Sequence, residues 1–472
     1  MKLTLYSKGA AREVTGSRHF IEVDGQTIQV DCGAFQGRRK EADGKNRRVF
    51  HDPEKIGAVI LTHGHFDHCG LLPVLAKQGY GGNIYATAAT RDIAALVMMD
   101  SARIQARDRE YLSKQAAKRN EEFTWQPLYD ETHVLAAIDH FVTLSYRRGF
   151  SILDGVRLEF FDAGHILGSS LAELTFMDRG SGRDVRVVFS GDLGRRGKPI
   201  IRDPEKVRDP DFLIMESTYG DRLHDCAADS MEKLAAVVRQ TAARGGRIII
   251  PAFAVERTQE LVYFLHLLSD QRRIPEIPIY VDSPMATNAT AIFQVHPECY
   301  DEEISQAFLR HQKNPFGFNN LHYTASVQES KDLNRLTGPA IIISADGMCE
   351  AGRVVHHLAN GVEDSRNTIL IVGFMAANTL GRRIREGQKD LRIMGMPVRV
   401  KAAVEELSAF SAHADYREIG EYITGLDMSR LKKVFLVHGE GSSQEHLKKH
   451  LLGLGVPAVE IVDPDTRYEL CL

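Results

Sequence analysis

The chain has 472 residues, so an expectation of roughly 150 residues per domain predicts about two to four domains. Hydrophobic residues make up 43% and charged residues 26%. This is the balance of an ordinary globular protein, and it excludes disordered, collagen-like and miniprotein classes. The 59 lysines and arginines against 63 aspartates and glutamates give a net charge of −4. A polyanion would therefore have to be held by a local patch.

The cysteines and the apolar runs indicate the cellular compartment in which the protein is expected. Six cysteines are scattered along the chain with no C-x-x-C pair, which favours free thiols in a reducing compartment over a disulfide framework. The first residues lack the apolar run of a signal peptide. The longest apolar stretch, residues 369–377, is too short to cross a bilayer. These features predict a cytoplasmic protein that does not span a membrane.

In chain order, the first predicted elements are strands. Residues 2–7 and 17–33 alternate between apolar and polar side chains, and Asp24-Gly25 predicts a tight hairpin turn within the second stretch. Residues 83–146 are predicted to be mostly helical, with the densest helical pattern over 89–118.

At several places a short apolar strand ends abruptly in a side chain of a metal-ligand type. These strands and the residues that they lead to are 58–62 with His63, 157–161 with His165, 185–189 with Asp192, 212–215 with Glu216, and 434–437 with His438. A sheet edge that gathers such side chains from several strand ends forms a preorganised site. The sequence therefore predicts a site built from histidine, aspartate and glutamate.

The middle of the chain has a different pattern of apolar residues. Its apolar runs are continuous, as expected of strands buried on both faces of a parallel sheet. These runs are 247–255, 277–284, 339–347 and 368–374. An amphipathic helix is predicted over Thr258–Leu268. Because ligand-type strand ends lie on both sides of this region, we expect a second α/β domain at 218–397, inserted between residues 1–217 and 398–472 of the first domain.

The sharpest signal is the hexapeptide HGHFDH, residues 63–68, in which four residues are metal-ligand types. His63 and His65 are two positions apart beyond a strand and project to the same side. Asp67 and His68 follow after a turn and could serve a second ion. Imidazole suits zinc, and a histidine–aspartate set without thiolates is typical of a catalytic site. A histidine-rich surface loop is the alternative interpretation.

HGHFDH resembles the H-x-H-x-D-H signature of the metallo-β-lactamase superfamily, whose fold is an αββα sandwich. Other motifs resemble the β-CASP branch of that superfamily: ESTYG (216–220), PAFAVERTQE (251–260), SADGMCEAGR (344–353), ANTLGRR (377–383), FSAHAD (410–415) and VHGE (437–440). The resemblance covers essentially the whole chain. It implies an α/β protein with a metallo-β-lactamase sandwich and an inserted β-CASP domain.

The resemblance implies a centre with two Zn²⁺ ions per chain. One ion would be held by His63, His65 and His165, the other by Asp67, His68 and His438, with Asp192 between them. Asp31 would orient the ligands from behind. Histidine at position 438 is typical of the RNA-processing members, since the DNA-repair members usually have valine there.

The same resemblance implies a zinc-dependent ribonuclease that hydrolyses phosphodiester bonds by a two-metal mechanism. Endonuclease action is expected, with 5′-to-3′ exonuclease action as a further option. Asp67, Glu216 and His413 would be the catalytic residues. His413 is the candidate general acid, and Glu216 would pair with it and raise its pKa. A His413 that only caps the helix after it is the alternative.

Single-stranded RNA is the expected partner, in a cleft between the domains, and the family resemblance leaves a homodimer open. The candidate substrate-binding residues are Ser344, Gly347, Arg353, Arg382 and Arg383. Residues 344–348 end a strand and could present backbone N–H groups to a phosphate. Guanidinium groups match phosphate oxygens, although a solvated role is equally plausible for each arginine.

Other positions leave their role open. Phe253 could stack on a base, although a core position is more common for such a residue. The stretch 37–48 has six basic and two acidic residues and is predicted to be a loop that either steers RNA or only aids solubility. Asp346, Glu256 and Ala377-Asn378 depart from the β-CASP pattern. These departures leave the metal chemistry intact but affect substrate preference.

Two further functions compete with a ribonuclease. One is a hydrolase of DNA or of a small ester. The other is a catalytically silent RNA-binding subunit, of the kind that typically loses metal ligands. Every expected ligand type is present in this chain, which favours an enzyme.

Overall fold

The protein is described by a computed structural model. It covers residues 2–37, 39–48, 53–178, 182–224, 227–311, 314, 316–373, 375, 378–407 and 411–471. The chain divides into two compact units. The first comprises Met1–Leu223 and Ala412–Leu472, and the second comprises His224–Ser411.

The first sheet of the first unit has the order β22-β1-β2-β3-β4-β5-β6. Its strands are β1 (Leu3–Gly9), β2 (Arg18–Val23), β3 (Gln26–Val30), β4 (Ile56–Ile60), β5 (Asn83–Ala86), β6 (Phe141–Thr143) and β22 (Tyr468–Leu470). Neighbours from β22 to β3 are antiparallel, and those from β3 to β6 are parallel. The predicted hairpin joins β2 to β3. Both Asp24 and Gly25 have positive φ angles there, as a tight hairpin turn requires.

The second sheet has the order β21-β20-β11-β10-β9-β8-β7. Its strands are β7 (Phe150–Leu153), β8 (Val156–Asp162), β9 (Ser170–Asp178), β10 (Arg183–Phe189), β11 (Phe212–Glu216), β20 (Lys433–Val437) and β21 (Val459–Ile461). Strands β10, β11, β20 and β21 run parallel to one another. The carboxyl ends of these four strands therefore lie at the same edge of the sheet.

The two sheets share one apolar core. Ile21 and Ile60 of the first sheet and Phe160, Leu174 and Phe189 of the second are among its buried members. Burying one side chain of this size contributes about 1.5–3 kcal/mol relative to leaving it in water. The strands keep their register because a slip by one residue would turn these side chains to the other face.

Helices accompany both sheets of the first unit. They are α1 (Arg39–Asn46), α2 (Phe66–Cys69), α3 (Leu72–Lys77), α4 (Ala88–Arg119), α5 (Glu131–Asp139), α13 (Tyr416–Thr424) and α14 (Gly441–Gly453). Ile419 of α13 and Leu447 of α14 are buried with Leu213 and Leu436 of the second sheet. The arrangement is the predicted αββα sandwich.

The long helix α4 coincides with the densest helical pattern of the sequence. The Thr87 side chain caps its first turn by accepting from the Thr90 N–H, as N-cap residues do. The expectation of helix was wrong at 83–86 and 141–143, which are strands β5 and β6. Apolar runs this short are compatible with either a strand or a helix. Here they form strands because β5 pairs in parallel with β4 and β6 pairs in parallel with β5.

The main sheet of the second unit is parallel, with the order β14-β13-β15-β12-β16-β19. Its strands are β12 (Arg247–Pro251), β13 (Ile279–Val281), β14 (Leu321–Tyr323), β15 (Ala340–Ser344), β16 (Thr368–Ile371) and β19 (Ala403–Glu406). The four continuous apolar runs of the sequence are β12, β13, β15 and β16, as predicted. Because β19 is an edge strand of this sheet, the second unit extends beyond the predicted boundary at residue 397.

Helices and one hairpin complete the second unit. The helices are α6 (Ala227–Ala243), α7 (Arg257–Asp270), α8 (Pro284–Val295), α9 (Glu302–His311), α10 (Val327–Leu333), α11 (Gly352–Gly361) and α12 (Leu380–Arg385). The hairpin pairs β17 (Asp390–Ile393) with β18 (Met396–Arg399). Single 3₁₀ turns occupy Pro53–Lys55 and Pro297–Cys299. Among the described helices, none is both long and apolar enough to span a bilayer.

Candidate metal centre

Strand ends bring the predicted ligands together. Asp31 follows β3 and His63 follows shortly after its parallel neighbour β4. In the second sheet, Asp192 and His438 follow β10 and β20, and Glu216 is the last residue of β11. His165 lies in the turn between β8 and β9.

The first ligand set consists of His63, His65, His165 and Asp192. His65 Nδ1 lies 3.1 Å from His63 Nε2 and 3.2 Å from His165 Nε2. Asp192 Oδ2 lies 3.4 Å from His63 Nε2 and 3.5 Å from His165 Nε2. Three imidazoles and one carboxylate oxygen therefore converge on a common point.

The second ligand set consists of Asp67, His68 and His438. His68 Nε2 lies 3.1 Å from His438 Nε2, and Asp67 Oδ2 lies 3.5 Å from the same His438 nitrogen. The other oxygen of Asp192, Oδ1, lies 3.4 Å from His68 Nε2. Asp192 thus directs one carboxylate oxygen to each set.

The donor atoms fit a pair of zinc ions. Tetrahedral ligands at the usual Zn–N distance of about 2.05 Å are about 3.3 Å apart, close to the separations in both sets. Burial lowers the pKa of His63 and His165 and lowers that of His65 to about 3, so these rings are neutral and offer lone pairs. Asp192 Oδ1 is buried with no hydrogen-bond partner, which is consistent with an oxygen that binds a metal ion.

Asp31 orients His68 from behind. Its Oδ2 lies 2.7 Å from His68 Nδ1. Its carboxylate also accepts from the Thr62 N–H and from the Thr62 hydroxyl, at 2.9 and 3.0 Å. Although burial opposes a charged His68, the carboxylates of Asp192 and Asp31 outweigh it and raise the pKa of this ring. Such a carboxylate–histidine pair fixes which ring nitrogen faces the ion.

His413 and Glu216 form a pair beside the two sets. His413 Nδ1 lies 3.0 Å from Glu216 Oε1 and 3.9 Å from Asp192 Oδ2. Glu216 is fully buried and is held in place by the N–H groups of Leu193 and Thr218. Burial disfavours the charged imidazole, but the Glu216 and Asp192 carboxylates outweigh it and raise the pKa of His413 to about 9.

Because Asp192, Glu216 and His413 also converge within 4.8 Å of one another, the geometry allows His413 two roles. It could donate a proton, or it could be a further metal ligand. His413 itself pairs with Gly194 in an isolated antiparallel β-bridge, and it lies two residues before Asp415, the residue that caps α13.

The predicted substrate residues Ser344 and Arg353 belong to a buried network around Asp282, which sequence reasoning did not single out. The Ser344 hydroxyl donates to the Asp282 carbonyl at 3.0 Å. Arg353 Nη1 lies 2.7 Å from Asp282 Oδ1, and His357 Nε2 lies 2.6 Å from Oδ2. The Ser344 hydroxyl is therefore engaged inside the second unit, as are both Nη groups of Arg353, since Nη2 donates to the Ala325 carbonyl at 3.0 Å. His357 is buried in helix α11.

The remaining substrate candidates differ in exposure. Phe253 is 44% exposed rather than in the core, and Gly347 lies beside its ring, where an added Cβ would stand 3.4 Å away. Arg382 pairs with Glu386 at 2.6 Å. Together with Arg383 and Asn378, these two residues line an open cavity of about 510 Å³. Ala377 lies outside the described residues.

The stretch 37–48 is not the predicted loop, because residues 39–46 form helix α1. Its charges are partly paired: Lys45 Nζ lies 2.7 Å from Glu13, and Arg47 Nε lies 2.7 Å from Asp43. Arg38 lies outside the described residues. The described part of this stretch is therefore a helix with partly paired charges, and not an unpaired basic loop.

Two threonines near the ligands were also missed. Thr62 Oγ1 lies 3.1 Å from His63 Nδ1, and Thr218 Oγ1 lies 3.0 Å from His438 Nδ1. In each case the hydroxyl contacts ring nitrogen Nδ1, while Nε2 of the same ring lies within the ligand set. The two threonines therefore help to fix the orientation of these rings. Their position next to a predicted ligand or motif was the available signal, but threonine is common at strand ends.

An αββα sandwich with two histidine–aspartate sets at its strand ends defines a metallohydrolase of the metallo-β-lactamase type. Family models match the chain in three places: the metallo-β-lactamase superfamily over residues 14–147, the Beta-Casp domain over 258–384, and the Zn-dependent metallo-hydrolase RNA specificity domain over 397–460.

Two relatives that match more than nine-tenths of this chain agree with these family models. Ribonuclease TTHA0252 of Thermus thermophilus is 35% identical over 448 residues, which cover 95% of this chain and 94% of that protein. Transcription termination factor FttA of Methanosarcina mazei is 31% identical over 446 residues, which cover 92% of this chain and 66% of that protein. The chain belongs to the β-CASP family of the metallo-β-lactamase superfamily, which confirms the resemblance and the fold class predicted from the sequence.

A solved structure has the same fold. The crystal structure of a protein of unknown function from Enterococcus faecalis V583 superposes with a TM-score of 0.55 and 12% identity, and the match covers 99% of this chain and 100% of that one. At this identity the likeness concerns the fold alone.

Proposed function

We propose that this chain is a zinc-dependent ribonuclease that hydrolyses RNA phosphodiester bonds with two metal ions. The observation that carries the proposal is the position of Asp192, one oxygen of which faces each ligand set. Two ions held by these sets would supply an activated water and would stabilise the charge that develops on the phosphate.

The ligands divide between the two ions. His63, His65 and His165 would hold one ion and Asp67, His68 and His438 the other. The seven ligands, Asp192 included, come from strand ends, from the turn between β8 and β9 and, for Asp67 and His68, from the short helix α2 of one sandwich. Rigid strands hold such side chains more closely in place than long loops would.

His413 would supply the proton that the departing ribose oxygen requires. Its Nδ1 is engaged with Glu216, so Nε2 would carry the transferred proton. Glu216, with both oxygens held by backbone N–H groups, fixes the ring and favours its protonated form. Departure of the 3′ oxygen would leave a 3′-hydroxyl and a 5′-phosphate at the cut.

RNA is the substrate class that the relatives support. Ribonuclease TTHA0252, a relative that matches almost end to end, is named a ribonuclease, and one of the three family models is named for RNA specificity. We further propose endonuclease action on single-stranded RNA, with 5′-to-3′ exonuclease action as a secondary activity.

The test is cleavage of a 5′-labelled single-stranded RNA by purified protein, with DNA of the same sequence as a control. The proposal expects RNA fragments that disappear with a chelator, return with Zn²⁺, and end in a 3′-hydroxyl. Cleavage of DNA at an equal rate would overturn the substrate class. An intact RNA, with two ions bound per chain, would favour a different substrate or a silent subunit.

A further inference from the structure

One buried side chain, His19, joins the two ends of a loop between β1 and β2. His19 Nδ1 lies 2.7 Å from the Ser7 hydroxyl, and His19 Nε2 lies 3.0 Å from the Ser17 hydroxyl. All three side chains are buried. Ser7 precedes the loop and Ser17 follows it, so both ring nitrogens of His19 serve to close it.

The two ends of this loop, residues 10–16, lie close together. The Ala10 N–H donates to the Thr15 carbonyl at 3.1 Å. A Cβ at Gly9 would stand only 2.0 Å from the Gly16 carbonyl oxygen, a separation that only glycine permits. The position of one end of the loop therefore determines the position of the other.

Each end of the loop is hydrogen-bonded to the backbone of a residue of the second ligand set. The Ser17 N–H donates to the backbone carbonyl of Asp67 at 2.8 Å, and the His438 N–H donates to the Ala10 carbonyl at 2.7 Å. Two of the three residues that define the second set are thus tied to the loop that His19 closes.

The first set is held differently. His63 Nδ1 is bonded to Thr62, and the His165 N–H donates to the Ser169 hydroxyl at 3.0 Å. Among the described residues, no hydrogen bond joins residues 10–17 to His63, His65 or His165. A change in the loop should therefore displace ligands of the second set and leave those of the first set in place.

We propose that His19 is a positioning residue for the second metal site, acting through the loop that its two serine hydrogen bonds close. The inference rests on the two-ion centre proposed above. It adds that the two sites differ in their supports, so that one ion can be lost through a change that leaves the other bound.

Two variants separate hydrogen bonding from packing. His19→Phe keeps an aromatic ring next to Phe189, whose centroid lies 6.2 Å from that of His19, but removes both hydrogen bonds. His19→Gln retains one donor and one acceptor. Zinc content is measured in wild-type and variant proteins after dialysis, followed by titration with Zn²⁺ alone.

The expected result is two ions per chain in the wild type, one in His19→Phe and two in His19→Gln. Indirect supports of this kind typically contribute about 10- to 100-fold to metal affinity, so the weaker site of His19→Phe should bind less tightly by about that factor. Two ions with unchanged affinities in His19→Phe would overturn the inference. Fewer than two ions in the wild type would instead contradict the two-ion proposal.

Combined variants identify the site that is lost. His438→Ala removes a ligand of the second set, so adding His19→Phe to it should leave the remaining ion bound. His65→Ala removes a ligand of the first set, so adding His19→Phe should reduce the content to near zero. The inference is wrong if His19→Phe weakens the ion that His438→Ala retains. Should His19→Phe fail to fold, Ser17→Ala removes one of the two bonds and is expected to give the same pattern more weakly.

Discussion

Glu216 Oε1 lies 3.0 Å from His413 Nδ1 and accepts the Leu193 N–H at 2.8 Å. The carboxylate therefore cannot turn away from the ring without losing a backbone hydrogen bond inside the protein. Beyond the two metal-ligand sets, the site therefore has a fixed imidazole next to Asp192, with 3.9 Å between His413 Nδ1 and Asp192 Oδ2.

We expect His413→Ala to reduce turnover of RNA by about 10²- to 10⁴-fold, the usual contribution of a general acid. Zinc content should remain at the wild-type value, because His413 belongs to neither of the two principal ligand sets. Single-turnover cleavage and metal analysis of the same preparations provide the measurement. Loss of an ion in His413→Ala would show that this histidine is a ligand and not the acid.

Asp192→Asn should disturb both sites together. Its two carboxylate oxygens face different sets, and an amide supplies only one oxygen and no charge. We expect fewer than two ions per chain after dialysis and a loss of RNA cleavage. The control is Asp139→Asn, an exposed position at the end of α5, which should retain both ions. A variant of Asp192 that binds both ions as tightly as the wild type would contradict its position between them.

Much of the site could be predicted because ligands at strand ends leave a local pattern. HGHFDH and the strand ending at His438 are visible in the printed sequence without knowledge of which strands are neighbours. The parallel runs of the second unit were visible for a similar reason: strands covered on both faces are apolar at every position.

The rest depended on contacts between distant residues. Arg353 reaches Asp282, which lies 71 positions away in sequence, so the pattern of charges alone could not distinguish a phosphate contact from an internal ion pair. His19 likewise lies in an ordinary strand, and only the fold brings its two serines to its ring. The exposure of Phe253 was missed because its apolar neighbours in sequence are buried.

Another prediction concerns Gly33 and Gly64, two glycines near the ligands, because other atoms lie where a Cβ would stand. A Cβ at Gly33 would stand 1.6 Å from the Asp67 carbonyl oxygen, whereas one at Gly64 would stand 2.5 Å from the Ile93 side chain. Because backbone atoms cannot yield as a side chain can, Gly33→Ala should be the more harmful change, destabilising by about 3 kcal/mol or more. Gly81→Ala is the matched control, with no atom within 4 Å.

Urea denaturation of the three glycine variants measures this order. The expected loss of stability is largest for Gly33→Ala, intermediate for Gly64→Ala and near zero for Gly81→Ala. Gly33→Ala should also weaken binding of the second ion, since the displaced carbonyl belongs to Asp67. Equal stability of Gly33→Ala and Gly81→Ala would show that the close approach is not present in the folded protein.

Asp162 gives the protein a stability that depends on pH. Burial at the end of β8 raises the pKa of this carboxyl from 3.8 to about 7, and the hydrogen bond from the Gly164 N–H only partly offsets the effect. Between about pH 4 and pH 7 the folded protein therefore holds a proton that the unfolded chain has lost. Its contribution to the free energy of unfolding consequently falls as the pH rises through this window and stays low above it.

Asp162→Asn removes the titration while keeping a similar shape and an acceptor for Gly164. In the presence of a chelator, the variant should match the wild type near pH 4 and exceed its stability at pH 8 by on the order of 2–4 kcal/mol. Denaturant unfolding at a series of pH values, with the exposed Asp139→Asn as control, measures the difference. Wild-type and Asp162→Asn profiles that run parallel from pH 4 to pH 8 would mean that Asp162 is ionised in the folded protein throughout, and that its burial is compensated by groups other than a bound proton.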